Sequence, residues 1–197
     1  MMFSKFKLKQ NINENIKIKQ NLISLYPEIN LAIKKIFNCI EKKNKVYICG
    51  NGGSAADAQH LSAEFLVRLK PKINRTPYPL ISLALDTSTI TAIANDYDFK
   101  YLFSRNLEGL ANSKDILIII STSGNSQNII EVLKKAKKMK IYTIGLLGNK
   151  GGKAHRYIDN SIIVNSDKVA RIQEAHIFLG HTILEQVEKL LLKKNKI

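Results

Sequence analysis

Apolar residues along the chain fall into short unbroken runs, separated by longer stretches in which they recur with helical spacing. The short runs predict strands at 45–49, 80–85, 115–120, 141–147 and 162–164. Helical patterns occupy 3–43 (two stretches), 54–69, 87–94, 99–111, the segment after 126 to about 138, and 168–193. Because whole runs are apolar rather than alternating, and because helices separate them, the pattern favours a parallel sheet covered on both faces.

One domain is expected to span residues 1–197, since the sequence contains no internal repeat and no low-complexity linker. Within it, about 1–43 form N-terminal helices, and 44–197 form the α/β core and the C-terminal helix. The longest clean apolar run, Ile116 to Ile120, is the size of a strand, so no membrane contact is expected. Two cysteines, Cys39 and Cys49, fit buried reduced thiols, and with no signal peptide at the N-terminus they indicate a cytoplasmic protein.

The formal net charge of +15 raises the question of a nucleic-acid partner. The lysines are scattered over the whole chain, and the densest run, Lys134 to Lys140, lies on the outer face and end of a predicted helix. No aromatic RNA-binding motif, zinc-finger spacing or arginine-rich arm accompanies them. We therefore interpret the lysines as solvated surface and expect no nucleic-acid partner, although the positive field would attract an anionic substrate.

Two turns rich in glycine and hydroxyl groups each lead from a predicted strand into a predicted helix. The second, Ser121 to Ser126, places five Ser, Thr or Asn residues around Gly124. A helix N-terminus offers unpaired N–H groups and a positive dipole end, so this turn is suited to binding a phosphate group. Helix capping alone would need only one such residue.

The first turn, Gly50 to Ser54, together with Ala55 loosely matches a dinucleotide-binding pattern, G-x-G-x-x-A. The acidic residue expected some 20 positions later is missing, because Asp86 lies much farther along. A dinucleotide-binding oxidoreductase is therefore disfavoured. Since the carboxyl ends of parallel strands share one edge of a sheet, both turns should border one crevice.

His60 and Glu64 lie four residues apart on the helix that follows the first turn, so they share a face. Gln173 and His181 lie on one stripe of the last helix, eight residues apart. The four side chains could converge as a site for Zn²⁺ or a similar divalent ion, while a His–Glu pair taken alone is usually an exposed helix contact. We expect His155 and His176 to be structural or solvated.

A resemblance to a known family rests on four stretches that stand in this order: Gly50 to His60 (GNGGSAADAQH), Thr91 to Tyr97 (TAIANDY), Ser121 to Ser126 (STSGNS) and Ala170 to His176 (ARIQEAH). The chain resembles the phosphoheptose isomerase family of the sugar isomerase (SIS) superfamily, over nearly its whole length. The Ser-rich turn alone would indicate only the superfamily, whereas four motifs in register are specific.

The resemblance implies a three-layer α-β-α sandwich with a five-stranded parallel sheet, the SIS fold, assembled as a homotetramer with active sites at subunit interfaces. It implies conversion of D-sedoheptulose 7-phosphate to D-glycero-D-manno-heptose 7-phosphate, which leads to the heptose of lipopolysaccharide. It also implies one Zn²⁺ per subunit, held by His60, Glu64, Gln173 and His181. The implied substrate-binding residues are Asn51, Gly52, Gly53, Glu64, Asn95, Asp96, Ser121, Thr122, Ser123, Ser126 and Gln173.

For the chemistry, the resemblance implies Glu64 as the base and His181 as the acid. Aldose–ketose isomerisation needs a base that removes a proton next to a carbonyl and an acid that protonates the enediol oxygen. An alternative is a non-catalytic SIS protein that binds the bacterial replication initiator. Such proteins lack the acid–base pair, which is present here, so the enzyme is favoured.

Overall fold

The centre of the molecule is a five-stranded sheet, seen in a computed structural model that describes residues 4–84 and 86–194. All four neighbouring pairs of strands are parallel, in the spatial order β2-β1-β3-β4-β5. The predicted five-stranded parallel sheet is therefore confirmed. The strands are β1 (Val46–Gly50), β2 (Leu80–Ser82), β3 (Ile116–Ser121), β4 (Tyr142–Gly148) and β5 (Asn160–Val164).

Seven α-helices surround the sheet in the described part of the chain, at positions close to those predicted. Single 3₁₀ turns precede α2 and α5 at Leu22–Leu25 and Phe99–Tyr101, so α5 begins three residues later than its pattern predicted. The predicted second strand stops at Ser82; its last predicted residue, 85, and residues 1–3 and 195–197 lie outside the described residues. The helices are α1 (Lys5–Asn21), α2 (Tyr26–Glu41), α3 (Gly53–Leu66), α4 (Thr87–Asp96), α5 (Leu102–Leu110), α6 (Gln127–Met139) and α7 (Val169–Lys194).

Both faces of the sheet are covered, which explains why its strands are apolar at consecutive positions. Ile116, Ile118 and Ile120 of β3 face a core formed with α2, α3 and α7. Leu117 and Ile119 point the other way, into a core formed with α4, α5 and α6. Alternate side chains of a strand point to opposite faces, so a strand between two helical layers must be apolar on both.

The strand order contains one reversal, and it positions the site. From β1 the chain moves outward to β2, and it then returns past β1 to form β3 on the other side. In open α/β sheets a crevice forms outside the carboxyl ends of the two strands at such a switch point. The two Gly- and Ser-rich turns follow β1 and β3, so both lie at this crevice.

The long helix α7 packs directly against α3. A Cβ added to Gly180 would lie 2.6 Å from Cδ1 of Leu61, so the two helices approach closely because residue 180 has no side chain. The outer helix α1 is attached to the start of α7, where Arg171 donates a hydrogen bond to the Asn11 carbonyl oxygen (2.9 Å). Among the described helices, none combines the length and apolarity that crossing a bilayer requires.

Candidate active site

A reciprocal hydrogen-bonded pair of amides joins the first turn to the start of α6, the helix that follows the Ser-rich turn. Asn51, just after β1, donates to Oδ1 of Asn128 at 2.9 Å, and Asn128, in the first turn of α6, donates back to Oδ1 of Asn51 at 2.8 Å. Asn128 is almost fully buried, and both amides satisfy part of their hydrogen-bonding capacity through this pair. Because β1 and β3 are neighbouring parallel strands, this contact places the two turns side by side at their carboxyl ends.

The Ser-rich turn holds its shape by packing against a glycine loop. Gly124 has a φ of +63°, and a Cβ at that position would lie only 2.0 Å from the carbonyl oxygen of Gly151. The carbonyl of Gly124 accepts a hydrogen bond from the Ala154 backbone N–H (2.8 Å), and the Asn125 side chain accepts one from Lys153 (3.0 Å). The turn therefore requires glycine both for its backbone conformation and for this close approach.

The hydroxyl groups of the turn retain donors for a bound anion. Oγ of Ser121 accepts a hydrogen bond from the Gly124 N–H at 3.0 Å, and Oγ of Ser123 accepts one from the Asn125 N–H at 3.2 Å. A hydroxyl that accepts still has its own hydrogen to donate. Ser126 stands at the N-cap of α6 without a side-chain capping bond. Simple helix capping therefore does not account for Ser126, and the turn presents hydroxyl donors next to the positive end of a helix.

A second group of chemistry-bearing side chains, His60, Glu64 and His181, lies where α3 meets α7. One ligand atom from each lies within 4.8 Å of the others. The Nε2 atoms of His60 and His181 are 3.0 Å apart, with the rings nearly perpendicular, and Nε2 of His60 lies 3.7 Å from Oε1 of Glu64. Of the four side chains that the sequence suggested could converge, the structure brings together these three, with the two histidines 121 residues apart in the chain.

The donor set of this cluster fits a zinc-type cation. Zinc sites combine imidazole nitrogens with a carboxylate oxygen at about 2.0–2.2 Å, which puts neighbouring ligand atoms of a tetrahedron about 3.3 Å apart. The distances of 3.0 and 3.7 Å between the cluster atoms bracket that value. The half-buried Glu64 and the exposed His60 leave one side of the cluster open to solvent, as a site that must admit a substrate requires.

The structure places the fourth predicted ligand, Gln173, elsewhere on α7. A Cβ added to Gly53 would lie 2.5 Å from Nε2 of Gln173, so this amide packs against the start of α3, at the crevice. Eight helical residues separate Gln173 from His181, a rise of about 12 Å. Within one chain, Gln173 therefore adjoins the turn at 50–54 and lies away from the His–Glu–His cluster.

Asn95 and Asp96 form the exposed end of α4. The Asn95 side chain donates to Oδ1 of Asp96 at 2.8 Å. The hydrogen bonds and ion pairs found among the described residues do not connect either side chain to the two turns or to the cluster. Their predicted role in substrate binding stays a prediction.

Sequence reasoning assigned no role to Asp57, which stands one helical turn before His60. Its Oδ2 is buried and has no hydrogen-bond partner among the described residues. Burial raises the pKa of this carboxyl, while positive charge on His60 or His181 would lower it. Asp57 therefore faces both imidazoles of the cluster; its i, i+3 spacing from His60 was the available signal.

The remaining histidines lie outside the cluster. His176 is fully buried, and burial lowers its pKa to about 4, so it is a neutral core residue at physiological pH. His155 is exposed, with Nδ1 2.9 Å from Oγ of Ser161. Both positions agree with the structural or solvated roles that were predicted.

Comparison with known proteins first defines the class. The sequence model of the family described as "SIS domain" matches residues 13–148, which is more than half of the chain. The matched part includes both turns of the crevice, together with His60 and Glu64. The fold and the site are thus those of a SIS-domain protein.

Relatives with this fold then define the family. A phosphoheptose isomerase of Campylobacter concisus is 46% identical over 182 residues, covering 92% of this chain and 95% of the relative. The structure of a phosphoheptose isomerase from Francisella tularensis superposes with a TM-score of 0.90 at 33% identity, covering 95% of this chain and 100% of that one. The structure of a phosphoheptose isomerase from Neisseria gonorrhoeae superposes with a TM-score of 0.87 at 35% identity, covering 94% of this chain and 98% of that one. The chain belongs to the phosphoheptose isomerase family, which confirms the resemblance inferred from its four motifs.

Proposed function

We propose that the protein interconverts D-sedoheptulose 7-phosphate and D-glycero-D-manno-heptose 7-phosphate, in the route to the heptose of lipopolysaccharide. The observation that carries this proposal is the pairing of Glu64 with His181 on helices that border an anion-binding crevice. His60 lies seven residues beyond Gly53, a rise of about 10 Å along α3. A seven-carbon chain ending in a phosphate spans on the order of 10 Å, so one substrate can reach from the turns to the cluster.

The phosphate is held by the Ser-rich turn. Ser121, Ser123 and Ser126 supply hydroxyl donors, and the start of α6 supplies backbone N–H groups and the positive end of its dipole. These contacts are the same for ketose, enediol and aldose, because the phosphate does not react. They therefore provide binding common to all states and orient the carbonyl end toward the cluster.

Glu64 and His181 carry out the proton transfers. The Glu64 carboxylate takes a proton from C1 of the ketose, and His181 donates a proton to the carbonyl oxygen on C2, which gives a neutral enediol. Return of the first proton to C2, with loss of the O1 proton to His181, yields the aldose. No net oxidation occurs, and each residue regains its starting protonation state.

A zinc ion, one per subunit, would be held by His60, Glu64 and His181, and when bound it would polarise the substrate oxygens as a Lewis acid. Because a carboxylate bound to a metal is a weaker base, Glu64 cannot serve as ligand and base at the same moment. Gln173 of the same chain lies about 12 Å away along α7, so a fourth ligand of this type would have to come from a second copy of the chain.

A homo-oligomer, proposed as a tetramer with its sites at subunit interfaces, agrees with the outer surface of α1. This helix has no buried residue, yet Phe6, Leu8, Ile12 and Ile16 leave about half or more of their surface exposed. A row of apolar residues on a helix that the chain leaves uncovered is suited to packing against another copy. A cytoplasmic location is proposed from Cys39 and Cys49, which are free and buried.

The test is to incubate the purified protein with sedoheptulose 7-phosphate and to follow the aldose by NMR. The wild type should turn over, whereas Glu64→Gln and His181→Gln should each lose at least a hundredfold in kcat, since proton transfer contributes about 10² to 10⁴. Matched controls are Glu185→Gln, which makes the same change at an exposed position on α7, and His155→Gln. Absence of turnover in the wild type, or unchanged kcat in both cluster variants, would refute the proposal.

A further inference from the structure

A buried ion pair between Arg75 and Glu188 lies beside the cluster and belongs to neither turn. Nε of Arg75, in the loop between α3 and β2, donates to Oε1 of Glu188 on α7 at 2.6 Å, and the two side chains are 2% and 1% exposed. Burying two charges carries a desolvation penalty of several kcal/mol per ion, and apolar residues of similar volume are often as stabilising or more so. Stability alone therefore does not account for charges at these positions.

Arg75 also donates to the helix that carries Glu64, besides a bond from Nη1 to the Thr76 carbonyl oxygen (3.1 Å). Nη2 donates to the carbonyl oxygen of Glu64 at 3.0 Å, and Nη1 donates to that of Phe65 at 2.9 Å. Because α3 ends at Leu66, these two carbonyls belong to its last turn, where no later helical N–H is available to them. The guanidinium thus fixes the backbone of the residue that supplies the base.

The acidic residue of the pair, Glu188, lies on α7, the helix that carries His181. Glu188 follows His181 by seven residues, so it lies on nearly the same face, about 10 Å farther along α7. Next to the cluster, α3 and α7 touch at Leu61 and Gly180, which adjoin His60 and His181 in sequence. The relative position of the helices is therefore fixed at two points, one of apolar contact and one of charge.

Aromatic rings enclose the pair. The guanidinium carbon lies 4.2 Å from the ring centroid of Tyr78 and 5.6 Å from that of Phe65. Burial raises the pKa of Tyr78, so its phenol stays neutral there. A guanidinium that is enclosed by rings and held by several hydrogen bonds has little freedom to move. It is therefore suited to fixing the position of the helices that it contacts.

We propose that Arg75 and Glu188 are positioning residues, which hold the last turn of α3 against α7 and so set the distance between the Glu64 carboxylate and the His181 imidazole. They act through the two helices and do not touch the substrate. This inference rests on the proposed function, because the distance matters only if the two side chains share one reaction or one metal ion.

Two kinds of substitution separate positioning from stability. Arg75→Lys keeps the charge but cannot make the fork of bonds to both helices, and Glu188→Gln keeps the shape but removes the charge. The double variant Arg75→Met with Glu188→Leu replaces the pair by apolar side chains and should remain folded. A matched control is Asp115→Asn, since Asp115 is also a buried carboxylate and accepts backbone N–H bonds from Lys45 and Asn112, just before the central strand β3.

We expect kcat to fall about 10- to 100-fold in the pair variants, because displacement of a catalytic group by about 1 Å has effects of that size. KM should stay within twofold, since the phosphate-binding turns are not altered. Zinc affinity, measured by competition with a chromophoric chelator, should fall about tenfold or more. In metal-free protein, the ring ¹⁵N chemical shifts of His60 and His181 should change, with those of His155 unchanged. Asp115→Asn should lower the unfolding midpoint and leave kcat, KM, zinc affinity and the ring shifts as in the wild type.

The positioning role is refuted if the folded double variant has the kcat and the His60 and His181 ring shifts of the wild type. It is equally refuted if kcat in all variants, Asp115→Asn included, follows the unfolding midpoint on a single line. Its failure can be told apart from failure of the proposed function, because the ring shifts need neither turnover nor metal. A wild type without turnover refutes only the function, and normal turnover in the pair variants refutes only the positioning role.

Discussion

Three glycine-to-alanine substitutions probe whether the Ser-rich turn is built as the structure shows. Gly124 combines a φ of +63° with a backbone contact that a Cβ would bring to 2.0 Å. Gly52 has a φ of +56° but open space around the Cβ position. Gly109, in α5, has neither restriction. The series therefore separates the effect of backbone conformation from the effect of close packing.

The expected magnitudes follow from those two effects. Gly109→Ala should be neutral or stabilise by up to about 1 kcal/mol, because alanine favours the helix. Gly52→Ala should destabilise by about 1–3 kcal/mol, the usual range for a residue forced into a sparsely populated backbone region. Gly124→Ala carries the same penalty and must also move the Gly151 carbonyl by more than about 1 Å, which adds about 1–3 kcal/mol.

The assay is urea and thermal unfolding of the three variants at one protein concentration, because association makes the midpoint concentration-dependent. The midpoints should fall in the order Gly109→Ala, Gly52→Ala, Gly124→Ala. The last two should differ by at least about 1 kcal/mol, or about 2–4 °C in a chain of this size. A Gly124→Ala protein as stable as Gly52→Ala would refute the close packing of the turn on the loop at 151–154.

Three further results are expected. Ser123→Ala and Ser126→Ala should raise KM about 5- to 15-fold with kcat within twofold in steady-state assays, as loss of binding common to all states does, while exposed Ser24→Ala changes neither. Because burial lowers the pKa of His176 to about 4, the unfolded chain binds a proton there first, so stability should fall by about 2 kcal/mol between pH 7 and pH 5. His176→Leu should abolish this fall in urea titrations and exposed His155→Leu should not. Chelator-treated protein should lose activity and regain it with Zn²⁺, whereas His60→Ala should bind zinc at least tenfold more weakly in isothermal titration.

The layers of the fold could be predicted because local pattern determines them. A strand such as β3, buried on both faces, must be apolar throughout, and it is apolar in the sequence. The residues at which strands and helices end were harder to predict. The second strand was predicted to reach residue 85 from its apolar pattern, yet β2 pairs only with β1, at the edge of the sheet, and ends at Ser82. Pairing, which the pattern does not encode, decided where it ends.

The site could be predicted in part for a related reason. The four-residue spacing of His60 and Glu64 is a local property of one helix, and so is the hydroxyl content of the turn at 121–126. The approach of His181 depends on how closely α7 can pack on α3 at Gly180, which is a tertiary property. Here the family resemblance supplied what spacing alone did not.

From the sequence alone, Glu188 could be recognised as unusual, whereas Arg75 could not. Arg75 is one basic residue in a loop of a lysine-rich chain, and no periodicity distinguishes it. Glu188, however, lies on the apolar stripe of α7 with Leu184 and Leu191, four residues before it and three after it. An acidic residue at a core position of an amphipathic helix needs a buried partner, so Glu188 could have been singled out before its partner was known.

In the proposed reaction, substrate binding and proton transfer belong to different parts of this chain, and the packing of α3 against α7 explains why. The turns at the switch point are fixed by the sheet and by the Asn51–Asn128 amide pair, and in the proposed reaction they bind the part of the substrate that does not react. The cluster depends on how α3 and α7 meet, at Leu61 with Gly180 and at Arg75 with Glu188. Changes in the turns should therefore act mainly on KM, and changes in the helix contact mainly on kcat, because each contact controls only one end of the bound sugar phosphate.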